Sequence, residues 1–252
     1  MNHTTVINKI SELGYKGFKE AYLRQMEDVN YHNLSFQDRL YQLLDAQDTF
    51  LNNRRTQMNL KLSKIKDKNA LIENIDYDPK REINKAQILS LASMDFIRSH
   101  QNIIINGKAG CGKSFLAQAL GNRAIYEGFT VYYIRTSSLL EEIKLSRIDG
   151  TYTNLVKRFA RYKLLILDDF GVSPISVDDA TNLFEIIEIR SQLSSTIITS
   201  QLPVKDWYGY LQNNTVADAI LDRVVHSSHR NEIEGDSLRP KYSNLNQKFE
   251  DN

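Results

Sequence analysis

The 252-residue chain holds one cysteine, one tryptophan and four prolines. Its longest apolar runs fall far short of the roughly 20 residues needed to cross a bilayer. A single thiol, Cys111, excludes an internal disulfide and a thiolate metal cluster. No charged-then-apolar leader opens the sequence, so the expectation is a soluble protein of a reducing cytoplasm without membrane attachment. Charge of one sign is also missing. With 32 Lys plus Arg against 31 Asp plus Glu, any affinity for nucleic acid must come from local patches rather than global attraction.

Proline is absent from residues 1–68, which contain only Gly14 and Gly17 as glycines. Apolar residues recur there at helical spacing, with Phe36, Leu40, Leu43 and Leu44 followed by Phe50 and Leu51. This predicts a small all-helical N-terminal domain over 1–68. Ser35 is placed to cap a helix, with Asp38 as the capping-box acid. Between Thr49 and Lys66 there is no acid, while Arg54, Arg55, Lys61, Lys64 and Lys66 are basic. Such a face is either solvated or turned toward nucleic-acid phosphates. Charge, turn formers and Pro79 mix over the next stretch, which reads as a linker at 69–86. "QILSLASMDFIRSHQ" then reads as one helix delivering the chain to the first strand of a second domain at 87–252.

From Asn102 apolar runs alternate with helical segments, the pattern of an α/β fold with a parallel sheet covered on both faces. "NIIIN" (102–106), "FTVYYI" (129–134), "LLILD" (164–168) and "STIITS" (195–200) are the expected strands.

The first strand runs into Gly107-Lys-Ala-Gly-Cys-Gly-Lys-Ser114, which fits G-x-x-x-x-G-K-[ST] between a strand and an amphipathic helix. Gly107, Lys108, Ala109, Gly110, Cys111, Gly112, Lys113, Ser114 and the following Phe115 are therefore the expected ATP-binding stretch. Its glycines let successive N–H groups turn inward at a phosphate, and the next helix aims its positive end at the same charge. Lys113 would reach the β and γ phosphates and Ser114 would join the Mg²⁺ shell. A strand-end carboxylate must complete that shell. "KLLILDDFG" provides Asp168 as the metal-side acid and Asp169 to polarise the attacking water. Thr199, Ser200 and Gln201 end the next strand, where they could approach the γ phosphate. Arg223 and Arg239 follow, and "LVKRFARYK" gathers Lys157, Arg158, Arg161 and Lys163, set to pair with acids or with phosphates.

The string "STIITSQLPVKDWYGYLQNNTVADAILDRVVHSSHRNEIEGDSLR", with the phosphate loop and the segment before it, resembles the IstB group of AAA+ ATPases, helper proteins of bacterial insertion sequences. The resemblance covers nearly the whole chain. It implies an AAA+ P-loop core without a C-terminal lid, as only 13 residues follow Arg239. It further implies Arg223 as an arginine finger for a neighbouring subunit, Arg239 as the sensor-2 arginine, and Ser200, or its neighbour Thr199, as the sensor-1 residue. Ile75 and Tyr77 fall where the group lines its adenine pocket. The implied cofactors are ATP and Mg²⁺; the implied partners are duplex DNA, a cognate transposase and further copies in a ring or spiral. DnaC-type helicase loaders share this core and supply the alternative function. Asp169 departs from the glutamate that most AAA+ enzymes carry there.

Overall fold

A computed structural model describes residues 3–238. The chain divides into two compact units, 1–58 and 59–252.

The first unit is helical, as its proline-free periodicity predicts: α1 (His3–Glu12), α2 (Lys16–Glu27) and most of α3 (Phe36–Leu62), whose last four residues belong to the second unit. Ser35 caps α3, accepting from the Asp38 N–H at 3.1 Å while its hydroxyl donates to the Asp38 carboxylate at 2.7 Å. Gly17 lets α2 and α3 approach closely, because a Cβ there would lie 2.5 Å from the Ala46 carbonyl oxygen.

The second unit is built on α4 (Lys85–Leu91), α5 (Asp95–Arg98), β1 (Asn102–Gly107), α6 (Lys113–Tyr126), β2 (Val131–Arg135), α7 (Thr136–Ile148), α8 (Tyr152–Arg161), β3 (Leu164–Phe170), α9 (Val177–Arg190), β4 (Ser195–Ser200), α10 (Trp207–Leu211), α11 (Asn214–Val225) and β5 (Ser228–Ile233). All strand pairs are parallel, in the order β2-β3-β4-β1-β5. Alternate side chains serve opposite faces. Ile103, Ile105, Tyr133 and Ile166 join α6 residues such as Leu116 and Leu120 in one core. Ile104, Ile134, Leu165, Leu167 and Ile198 join residues of α7 to α11 in the other.

Three expectations are corrected. The boundary falls at residue 58 rather than 68, and 69–86 is no free linker. Ala70, Ile72 and Ile75 are buried in the core beside α6, so burial of apolar surface ties the segment down despite its charged composition. The helix expected over "QILSLASMDFIRSHQ" is two short helices, α4 and α5, separated where Met94 adopts a left-handed backbone with φ 64°. A fifth strand joins the four expected. β5, at one sheet edge, is polar because little of it is covered, with only Asn231 and Ile233 buried; β2 at the other edge is covered and apolar.

Candidate nucleotide-binding site

The glycine-rich turn leaves β1 and enters α6 as its sequence requires. Gly110 and Gly112 hold φ angles of 79° and 97°, a region closed to most side chains. Both are also hemmed in. A Cβ on Gly112 would meet the Arg81 guanidinium at 2.6 Å, and one on Gly110 the Ser237 hydroxyl at 2.1 Å. The Lys113 ammonium is 2.8 Å from the Gly107 carbonyl and 2.7 Å from that of Lys108, so it is held along the loop's inner rim. Cys111 is buried and free of disulfide bonding.

Since β4 separates β1 from β3, the acids of β3 reach the loop across the end of an intervening strand. Asp168 is 2% exposed. Its carboxylate accepts from Ser114 Oγ at 2.8 Å, from the Tyr133 phenol and from the Thr199 hydroxyl. Burial first, and then the bond to Asp168, push the Tyr133 phenol well above its usual pKa. Tyr133 therefore stays protonated and able to donate to the carboxylate.

The β3–β4 register shifts between Leu167 and Phe170, and within that bulge Asp169 takes a left-handed φ of 58°. Its N–H donates to Thr199 Oγ1 at 3.1 Å, and its carboxylate lies 3.5 Å from Arg135 Nε at the end of β2. Thr199 and Ser200, adjacent in β4, point oppositely. Thr199 touches both acids, whereas the Ser200 hydroxyl has the carbonyls of Phe170 and Leu202 as alternative acceptors for its one proton and accepts from the Leu202 N–H. The sequence singles out neither Tyr133 nor Arg135. The signal available was register, because Arg135 pairs with Asp168 across β2 and β3.

A cavity of about 710 Å³ opens over the loop, lined by Lys113, Ser114, Phe115, Asp169 and Gln201, among others. That volume suits a nucleotide-sized ligand. Its wall also includes Asn69, Asn74 and Asp76. Ile75 and Tyr77 do not line it. In the extended run around 75, alternate residues point inward, and Ile75 and Tyr77 pack into or against the core instead.

Arg81, absent from the sequence expectations, braces the loop from this side. It is 8% exposed and donates to the Cys111 carbonyl at 2.7 Å and to the Asp76 carbonyl, while its own carbonyl accepts from Glu234 at 3.1 Å. The Leu238 N–H reaches the Gly110 carbonyl at 3.0 Å, so residues distant in sequence converge on the loop. Arg81→Met is expected to cost about 2 kcal/mol of stability in denaturant unfolding, by orphaning two carbonyls. It should also raise the ATP dissociation constant about tenfold through a looser loop.

The site fits a phosphate-bound Mg²⁺. Ser114 and Asp168 offer one hydroxyl and one carboxylate to a single point, and no cluster of three or more His, Cys, Asp or Glu ligands exists among the described residues. A cation held there would take its remaining ligands from phosphate and water, as Mg²⁺ does.

Arg223 lies elsewhere. On α11, its carbonyl accepts from the Asn102 side chain at 3.1 Å, at the opening of β1. Strand β1 therefore separates it from the chain's own phosphate loop by about 17 Å of strand length. Its guanidinium pairs with Glu188 and lies over the Phe184 ring. Arg239 lies outside the described residues. Of the expected DNA contacts, Arg158 is paired with Glu142 and stacks 4.8 Å from the Phe159 ring centroid. Arg54, Arg55, Lys61, Lys64, Lys157 and Arg161 are exposed, with no ion pair among the described residues.

The strand order, the glycine-rich loop after β1 and the paired acids after β3 define a P-loop nucleotide-binding protein of the AAA+ fold. Solved structures agree on the fold. The DnaC helicase loader superposes with a TM-score of 0.55 at 21% identity, over 66% of this chain and 98% of that one. Replication initiator DnaA, bound to AMPPCP and single-stranded DNA, gives 0.57 at 21% over 68% of this chain, which spans about half (51%) of the initiator. The family model described as IstB-like ATP binding protein matches residues 8–246, and the chain belongs to that family. Among its relatives is the insertion sequence ATP-binding protein y4uH of Sinorhizobium fredii, 38% identical over 95% of this chain and 96% of the relative. No helix among the described residues is long and apolar enough to cross a membrane.

Proposed function

We propose that the chain is an ATP-hydrolysing helper of insertion-sequence transposition in the cytoplasm, assembling on duplex DNA with ATP and delivering a target site to a transposase. Family membership across residues 8–246 carries this reading, and the complete phosphate loop with its strand-end acids supports turnover.

The residue roles follow from position. The loop N–H groups and Lys113 hold the phosphates. Ser114 and Asp168 hold Mg²⁺, which neutralises charge on the transferred phosphoryl group. Asp169 polarises the attacking water, and Thr199, already bonded to Asp168 and to the Asp169 N–H, fixes the spacing of the two acids, with Ser200 behind it. Arg223 serves a neighbouring subunit, since its own loop lies at the other end of the sheet. Arg239 is assigned as the sensor-2 arginine. Copies thus complete each other's sites in a ring or spiral. Lys157 and Arg161, with Lys61 and Lys64, are the candidate DNA contacts.

A helicase-loader role is the second reading, favoured by the likeness to DnaC across 98% of that chain. Affinity capture with ATP and duplex DNA, offering a transposase from the same element and a replicative helicase, separates the two. Retention of the transposase alone is expected; retention of the helicase alone would replace the first reading with the second. Reversing Lys157 and Arg161 to glutamate should weaken binding to unrelated duplexes equally. It should also flatten the salt dependence by about one unit of slope per lost phosphate contact.

A further inference from the structure

Helix α3 runs into a short segment, 63–67, that reaches both Ser114 and Asp168 through one side chain each. Ser63 is buried. Its hydroxyl donates to the Leu60 carbonyl at 2.9 Å and accepts from the Ile65 N–H at 3.2 Å, turning the chain where Lys64 takes a left-handed φ of 61°. The turn sets the Ser63 carbonyl against β2, where it accepts from the Tyr133 N–H at 2.7 Å. Tyr133 in turn donates its phenol to the Asp168 carboxylate.

A second branch runs through α6. The consecutive N–H groups of Lys66 and Asp67 both donate to Gln118 Oε1 at 3.0 Å, and the Gln118 amide donates to the Ser114 carbonyl at 3.1 Å. One turn further, Asn122 donates to the carbonyls of Asp67 at 3.1 Å and Ala70 at 2.9 Å. Gly121 leaves room for Ile65, because a Cβ there would lie 2.9 Å from the Ile65 Cδ1. Gln118 is 7% exposed. An apolar residue would fill that place without the cost of desolvating an amide, whereas glutamine satisfies two backbone donors that would otherwise be stranded. Asp67 and Asn69 continue onto the wall of the nucleotide cavity. Neither Tyr133 nor Gln118 lines that cavity, so each acts on the site only through the residue it holds. Outer partners of this kind orient metal ligands and tune their basicity, and losing one typically changes metal affinity 10- to 100-fold.

We infer that segment 63–67 sets the spacing of the two metal ligands, with Tyr133 as the positioning residue for Asp168 and Gln118 as that for Ser114. The inference rests on the Mg²⁺ assignment of the proposed function. Since α3 ends at Leu62, movement of its last turn is felt at both ligands. Coupling of this kind is reciprocal, so filling the metal site stiffens 63–67.

Calorimetric titration of the full chain with a non-hydrolysable ATP analogue, in Mg²⁺ and in a chelator, isolates the metal's share of the affinity. Tyr133→Phe and Gln118→Leu should each cut that share about tenfold, while binding in the chelator stays within about threefold of the parent. Adding Mg²⁺ to the analogue complex should slow amide exchange over 63–67 about tenfold in the parent and less than twofold in either variant. Asp168→Asn should abolish the metal's share; if the share survived there, the metal assignment would fall and this inference with it. A share lost in Asp168→Asn but intact in Tyr133→Phe or Gln118→Leu overturns the role of that residue alone. Affinity lost equally in Mg²⁺ and in chelator marks a merely structural contact and overturns the inference, as does exchange over 63–67 that ignores Mg²⁺ in the parent.

Discussion

Lys113→Ala is expected to lower ATP affinity about 100-fold, a loss of about 2.7 kcal/mol, and to abolish phosphate release. Lys113 is 6% exposed and its ammonium is held by two loop carbonyls at 2.7 and 2.8 Å. It therefore stands ready to meet a phosphate with little reorganisation, in surroundings where charge-assisted bonds are worth about twice neutral ones. Alanine removes that partner and leaves the Gly107 and Lys108 carbonyls without the ammonium, while the cavity that Lys113 lines is open to water. Thermal unfolding should then move little, and the defect should appear in calorimetric titration with ATP. Binding within threefold of the parent would show that the loop's backbone alone holds the nucleotide.

The second large effect is a complementation. Asp169→Asn and Arg223→Ala are each expected to reduce turnover by about 10² to 10³, the range for losing a base or a charge-stabilising arginine. Mixed in equal amounts with DNA, the two inactive proteins should recover about a quarter of the parent's activity. Under random assembly one junction in about four joins an intact Asp169 to an intact Arg223 when the finger acts between subunits. An arginine that served its own site would give no recovery. Recovery is the expected result, because β1 stands between Arg223 and its own loop. Asparagine suits the test since it tolerates the left-handed backbone at 169 and keeps the N–H that bonds Thr199.

How much of this was legible in the sequence follows from where each signal resides. The phosphate loop and Asp168 are local: a buried strand, then fixed spacing. Four strands announced themselves because both of their faces are buried, β2 included although it is an edge strand, while β5, with only Asn231 and Ile233 buried, kept a polar sequence that hides its pairing. Which of Thr199 and Ser200 faces the acids is a matter of parity, and the bulge at 168–170 shifts parity without leaving a mark in composition. Arg81 is the furthest from legibility. Its role depends on a charged segment folding back onto Cys111, 30 residues later, and nothing in "DPKRE" announces that partner. The same long-range burial moved the unit boundary to residue 58. Ile75 and Tyr77 pack into or against the core, while their neighbours Asn74 and Asp76 stand on the cavity wall, a difference of one residue that composition does not reveal.

The left-handed backbone at Asp169 bears on how this protein can evolve. Of the common residues besides glycine, aspartate and asparagine enter that conformation most readily, so the position offers selection a very small alphabet. Asparagine keeps the bulge while removing the charge, and glutamate would keep the charge while straining the bulge. With Asp169 in the role proposed for it, the lineage sits one conservative exchange from a folded protein that holds ATP without hydrolysing it, and further from a longer acid at this position. Silencing is the easy mutational step here, and acceleration is the hard one.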